Sequence, residues 1–169
     1  MNLNELRKKK DDFFNQKLAE SGLMIRKDEV DITARGDDLL KTVSDKIIDA
    51  QKFGASLAKD KNRIVPIDIH AVVLTDADEK PKKVISSFDF ACSVAPGNEL
   101  MPDKKLKDLK IGTSDIVKVR TDYTIHQVAE TFGKNPERSY LVVESGEGKL
   151  VGIIYRKTLS AAVDELYPR

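Results

Sequence analysis

Cysteine and tryptophan are almost missing from this sequence: 169 residues include one cysteine, Cys92, and no tryptophan. A lone thiol closes no internal disulfide, so a hydrophobic core has to hold the fold, and cysteine this sparse leans towards a reducing compartment. Histidine is scarce as well. His70 and His126 lie far apart in the chain, and with one thiol they are too few for a zinc site built from Cys and His at familiar spacings. Both are read as structural. An excess of either charge is also lacking. With 29 basic and 28 acidic residues the net charge is +1, which sets up no field to gather nucleic acid or an anionic membrane. No apolar stretch approaches the roughly 18 residues of a membrane span, and the opening MNLNELRKKKDD has no apolar core of a signal peptide. A cytoplasmic protein with no membrane or nucleic-acid partner is expected. It is not expected to be an enzyme, because no nucleophile–base pair or metal set is visible. Gly146-Glu147-Gly148-Lys149 lacks the spacing of a phosphate-binding Walker loop and reads as a turn.

Apolar patterning is clearest near the C-terminus. The run from Tyr140 to Val143 enters the turn around Gly146 and Gly148, and a second run follows from Leu150 to Tyr155. Two such runs flanking a glycine turn predict a hairpin of buried strands. Leu159, Ala162, Val163 and Leu166 then recur at helical spacing. Upstream, Ile116 to Val119 predicts a strand, and Ile125, Val128, Ala129 and Phe132 form one face of a helix. The order is strand, helix, strand, strand, helix.

A looser copy of this order precedes it. Val30 to Thr33 alternates like a strand. Asp37 and Asp38 are placed to cap a helix whose stripe is Leu39, Leu40, Val43, Ile47 and Ile48. Ile67 to Leu74 and then Val84 to Phe90 match the later strands and helix start. Extra residues around 51–61 interrupt the match, where the helix is expected to run on through Phe53 and Leu57. Residues 1–23 read as a separate helix ended by Gly22, with Phe13 and Phe14 docking on the body or a second subunit. The cluster Arg7 to Lys10 reads as a solvated face. Residues 96–114 read as a linker, with Leu106, Leu109 and Ile111 as anchors.

Residues 115–166 resemble the cystathionine-β-synthase (CBS) domain, a small regulatory module. The likeness rests on Val117-Lys118-Val119 before Thr121-Asp122, on Thr124 to Ala129, on LVVES, and above all on GKLVGII at 148–154. It implies an α/β fold of tandem βαββα repeats with small mixed sheets plus an N-terminal helix. The divisions are 1–23 (helix), 24–95 (a diverged first motif), 96–114 (linker) and 115–169 (second motif). It implies a stand-alone regulatory protein that binds AMP, ADP, ATP or S-adenosylmethionine, forms a homodimer and modulates a partner protein.

In the family pattern a glycine, a Ser or Thr and an Asp at the last strand and helix start hold the ligand, the hydroxyl assisting at the phosphate or ribose and the Asp accepting from the ribose hydroxyls. The second motif keeps Gly152 but has Tyr155 and Thr158 at the other two positions. The first has Lys83 for the glycine but keeps Ser86 and Asp89. Ser86 and Asp89 are therefore the ligand-binding candidates, joined by Thr33 and Arg35 after the first strand. The competing reading makes Ser86 or Asp89 a helix cap. Two other readings stay open: a ligand-free dimerisation scaffold, and an unrelated N-terminal α/β domain followed by one CBS motif.

Overall fold

The computed structural model describes residues 3–57, 69–93 and 102–167. After the first helix, α1 (Leu3–Asn15), and the short strand β1 (Met24–Arg26), one element order occurs twice. The first pass is β2 (Thr33–Ala34), α2 (Leu40–Leu57), β3 (Ala71–Thr75), β4 (Pro81–Ser86) and α3 (Ser87–Ser93). The second is β5 (Lys118–Arg120), α4 (Ile125–Lys134), β6 (Tyr140–Glu144), β7 (Leu150–Tyr155) and α5 (Arg156–Leu166). The first parallel pair is β2 with β3, and β4 is antiparallel to β3. The second sheet repeats this, β5 parallel to β6 and β7 antiparallel to it. The expected α/β architecture of two small mixed sheets and an N-terminal helix is the observed one.

Each half finishes the other's sheet. β1 pairs antiparallel with β7, giving the order β1-β7-β6-β5, while Thr113 bridges to Val84 on β4. The helix starts are tied in the same crossed way. Ile125 N, opening α4, donates to Gln16 O at 2.9 Å, and Leu40 N, opening α2, donates to Lys104 O at 2.9 Å. Each tie runs into a 3-10 turn, Leu18–Glu20 in one case and Leu106–Asp108 in the other.

Period-two alternation sorts the strands' side chains into layers. Leu141, Val143 and Ile154 face α4 and α5, with Ile125, Val128, Phe132, Leu159 and Ala162. Val72 and Ile85 face α2, with Leu40, Val43 and Ile47. The alternate residues Ala71, Val73, Val84, Val142, Ile153 and Tyr155 meet in a core shared by both sheets.

Several local expectations are corrected. α1 stops at Asn15, not at Gly22, because Leu18 N and Ala19 N leave the helix to bond Tyr123 O and Thr121 O. Phe13 and Phe14 do dock on the body, against the α4–α5 core. The strand expected at 30–33 is displaced to 33–34, since the Asp31 carboxylate accepts from Thr33 N and Oγ1 and holds a turn there. Asp37 and Asp38 do not cap α2. Asp38 accepts from Arg35 N, Asp37 pairs with Lys105 and Lys107, and backbone carbonyls of Pro102 and Lys104 satisfy the first helical N–H groups. Leu39 and Ile48 are exposed, not part of the buried stripe. α2 does run on through Phe53 to Leu57. Ile67, and most of the linker from Pro96 to Met101, lie outside the described residues, as does the side chain of Cys92.

Candidate functional site

The sheet registers give the equivalence of the two halves residue by residue. Ala71 pairs with Ser86 and Tyr140 with Tyr155, so the β4–α3 junction in one half corresponds to the β7–α5 junction in the other. The residues before the core strands match as well: His70 O accepts from Ser87 N at 2.7 Å, and Ser139 O from Arg156 N at 2.8 Å. Ser86 of the first half and Tyr155 of the second occupy these junctions.

At the α3 start, Ser86 and Asp89 are bonded to each other. Asp89 Oδ2 accepts from Ser86 N and from Ser86 Oγ, both at 2.7 Å, and Asp89 N donates to Ser86 Oγ at 3.3 Å. This reciprocal arrangement has the form of a capping box, which quiets otherwise unpaired N–H groups at a helix start. Thr33 and Arg35 are not brought against it. Strand β3 lies between Thr33 and Ser86, and the register places them on the order of 10 Å apart. The Thr33 hydroxyl donates to Asp31 Oδ1 at 2.7 Å, and Thr33 O accepts from Lys46 Nζ at 2.8 Å. Lys46 also pairs with Asp31 at 3.0 Å. Burial acts to raise the Asp31 carboxyl, but the bonds from Thr33 and Lys46 outweigh it and hold it below its ordinary value. The exposed Arg35 contributes to holding Glu79 low, after the stronger hydrogen bond and charge of Lys27.

The α5 start is built otherwise. Tyr155 precedes the helix and supplies no side-chain cap. Thr158, where the first half has Asp89, is buried at 4% exposure. A cavity of about 390 Å³ opens here, lined by His70 from the first half and by Ser139 and Tyr155 to Thr158 from the second, with Ser160. Two of its lining residues, His70 and Tyr155, form an aromatic triad with Tyr140: His70 lies 5.0 Å from the Tyr155 ring and 6.3 Å from Tyr140, and the two tyrosines are 6.2 Å apart. The Tyr140 hydroxyl is pushed above its ordinary value, first by burial and then by the charge of Asp89, against a smaller opposing effect of Arg138.

Arg156 lines the cavity as well, but its guanidinium is engaged within the protein. It donates to Arg138 O, Phe132 O and Asn135 O at 2.7–2.9 Å and lies 4.7 Å over the Phe132 ring. It caps the C-terminal end of α4, where a cation is favoured.

A family model for the CBS domain matches residues 106–165. This segment is a CBS domain. Its match begins at the 3-10 turn Leu106–Asp108, the segment that ties down α2 in the other half. Solved structures carry the likeness across both halves of the CBS-type fold. A CBS domain-containing protein of unknown function from Bacillus anthracis shares 13% identity, over 92% of this chain and 98% of its own, with a TM-score of 0.67. The CBS domain pair of MJ0100, solved with 5-methylthioadenosine and S-adenosyl-L-methionine, shares 18% over 90% and 98%, with a TM-score of 0.57. The cytosolic domain of the Mg2+ channel MgtE, solved with ATP, shares 23% over 86% of this chain and 48% of its own, with a TM-score of 0.52. At these identities the likeness is one of fold. No curated protein matches the sequence at a significant level. Among the described residues no cluster of His, Cys, Asp and Glu could hold a metal ion, and no helix is long and apolar enough to cross a membrane.

Sequence reasoning passed over His70, Tyr140 and Tyr155. It took His70 and Tyr155 only as a structural histidine and a lost ligand position. The available signal was the equivalence of Ser86 and Tyr155, which places Tyr155 at the end of β7, where α5 begins.

Proposed function

We infer that this is a regulatory CBS-pair protein, and not an enzyme, which binds an adenosine nucleotide where its halves meet and modulates a partner protein. The observation that carries the reading is the cavity at the α5 start, walled by Tyr155 and by His70 from the other half. Its volume suits a small molecule, and aromatic rings offer a purine a stacking surface. The adenosine-containing ligands of the MJ0100 pair and the MgtE domain support the same class here: AMP, ADP, ATP or S-adenosylmethionine. Asp89 is the acceptor for the ribose hydroxyls, since one carboxylate accepts from both, and Ser86 holds it ready. Thr33 and Arg35 extend the contact along the first sheet towards base or phosphate. A ligand that prefers one arrangement of the halves shifts the population towards it, and a homodimer presents that change to the partner in the cytoplasm.

The test is a thermal-shift titration of the whole chain with AMP, ATP and S-adenosylmethionine, repeated on Asp89→Ala. Ligand at one hundred times its Kd should add roughly 2.7 kcal/mol, and the gain should shrink in the variant. No shift with any of them would sink the reading.

One observation favours a second reading. The Ser86–Asp89 pair is closed on itself and Thr158 stands at the other junction, which fits a scaffold that keeps the fold for dimerisation alone. It predicts a dimer whose midpoint is indifferent to nucleotides.

A further inference from the structure

The two hairpin turns are built alike except at one residue. In the first, Asp76 N donates to Lys80 O and Glu79 N to Asp76 O, both at 3.1 Å, and the Asp76 carboxylate accepts from Asp78 N and Lys80 N. In the second, Ser145 N donates to Lys149 O and Gly148 N to Ser145 O, and the Ser145 hydroxyl accepts from Glu147 N and Lys149 N. Glu79 therefore stands where Gly148 stands, and both are left-handed, at φ +63° and +76°. Glycine takes that conformation freely, whereas a residue with a Cβ is strained in it. Glu79 is the one non-glycine residue at positive φ among the described residues. Strain kept where a glycine would serve points to a role for the side chain.

That side chain reaches out of its own half. Glu79 Oε1 accepts from Lys27 Nζ at 2.8 Å, and Oε2 lies 3.9 Å from Lys149 Nζ. The backbone joins the same neighbours: Glu79 O accepts from Leu150 N and Val151 O from Lys27 N, both at 2.9 Å. One residue of the first half thus grips the end of β1 and the start of β7 together. From here β4 and β7 each run six residues, to Ser86 and Tyr155, a length of roughly 17 Å. Val84 on β4 and Ile153 on β7 share the central core, and a densely packed interior transmits displacement. We propose that Glu79 is an ionic latch between the halves, which fixes their spacing at the turn end and through it the gap between His70 and Tyr155 at the other. The latch acts whatever the cavity holds.

Amide hydrogen exchange and histidine NMR on the full chain test this, with Glu79→Gln, Glu79→Gly and Lys27→Gln. In Glu79→Gln the Leu150 amide should exchange faster, by up to about fivefold, the range of an exposed ion pair. Salt at about 1 M should do the same to the unaltered chain, because it screens the pair. Lys27→Gln should match Glu79→Gln, and joining the two should add little. Glu79→Gly removes the strain with the charge, so exchange at Lys80 inside the turn should hold or slow while Leu150 still quickens. The His70 ring signals, set by the Tyr155 ring 5.0 Å away, should shift in both Glu79 variants, with His126 unmoved. Leu150 exchange unchanged in Glu79→Gln, or slowed in Glu79→Gly, would overturn the latch. His70 signals that stay in place would overturn it too, since Glu79 would then staple only its own surroundings.

Discussion

Gly152 lies against the backbone of Ile25, so close that a Cβ added to it would sit 2.1 Å from Ile25 O. This contact is where β1 joins β7, with Arg26 opposite Gly152 in register. The first half solves the same crossing from the other side. There the strand position is Lys83, and the glycine is Gly112 on the incoming segment, at φ +79°, where a Cβ would meet Val84 O at 2.5 Å. The glycine absent at Lys83 has its counterpart across the ladder.

Gly152→Ala is therefore expected to force β1 off β7 and not merely to stiffen the strand. A cost of about 3 kcal/mol, at the upper end for overpacking, should appear in urea denaturation. Hydrogen exchange should quicken at Met24 to Arg26 before it quickens elsewhere. An unchanged midpoint would contradict the contact.

Arg156 joins α5 to the end of α4 through three carbonyls and the Phe132 ring. Arg156→Ala should cost about 2–3 kcal/mol, the range for hydrogen bonds to a charged group. Arg156→Lys should recover little, because an ammonium cannot reproduce the planar fork. Thermal denaturation of the two variants decides it, and full rescue by lysine would refute the geometry.

Tyr140 gives the alkaline limb of stability a definite sign. Its hydroxyl titrates above the ordinary value of 10.0 in the folded protein, through burial and then the charge of Asp89. The folded state thus holds the proton more tightly, so the contribution is intact below pH 10 and is lost as pH rises through the folded value. Tyr140→Phe should flatten that decline, and Asp89→Asn should reduce it in part. Denaturation midpoints between pH 9 and 11 would show this. A decline of the same slope in Tyr140→Phe would count against it.

Ser86 separates capping from ligand binding. Ser86→Ala should cost about 1 kcal/mol as a lost helix cap, whether or not a nucleotide binds. If AMP affinity falls as well, the hydroxyl also positions Asp89 for the ligand. If affinity is unchanged, Ser86 is a cap alone.

The second half was legible because its strands are bounded by turns and its helices carry unbroken apolar stripes, as at Ile125, Val128 and Phe132. The first half was harder to read for physical reasons that can be named. Its first strand is only Thr33–Ala34, too short to alternate, and the stronger alternation before it belongs to a turn held by Asp31. Asp37 and Asp38 look like caps to any local rule, yet the donors of α2 are satisfied by Pro102 and Lys104, far along the chain. The cavity was illegible for a related reason. His70 and Tyr155 become neighbours only through a core shared between sheets, and nothing in their local sequence announces it.

The exchange of strands also sets the order in which the chain can complete itself during synthesis. Met24 and Ile25 have their ladder partners at Ile154 and Ile153, so the earliest strand made waits for the last. A closure this long is costly in chain entropy and slow to form. Until β7 arrives, β1 is an apolar strand with both edges open, the kind of segment that pairs with the wrong chain.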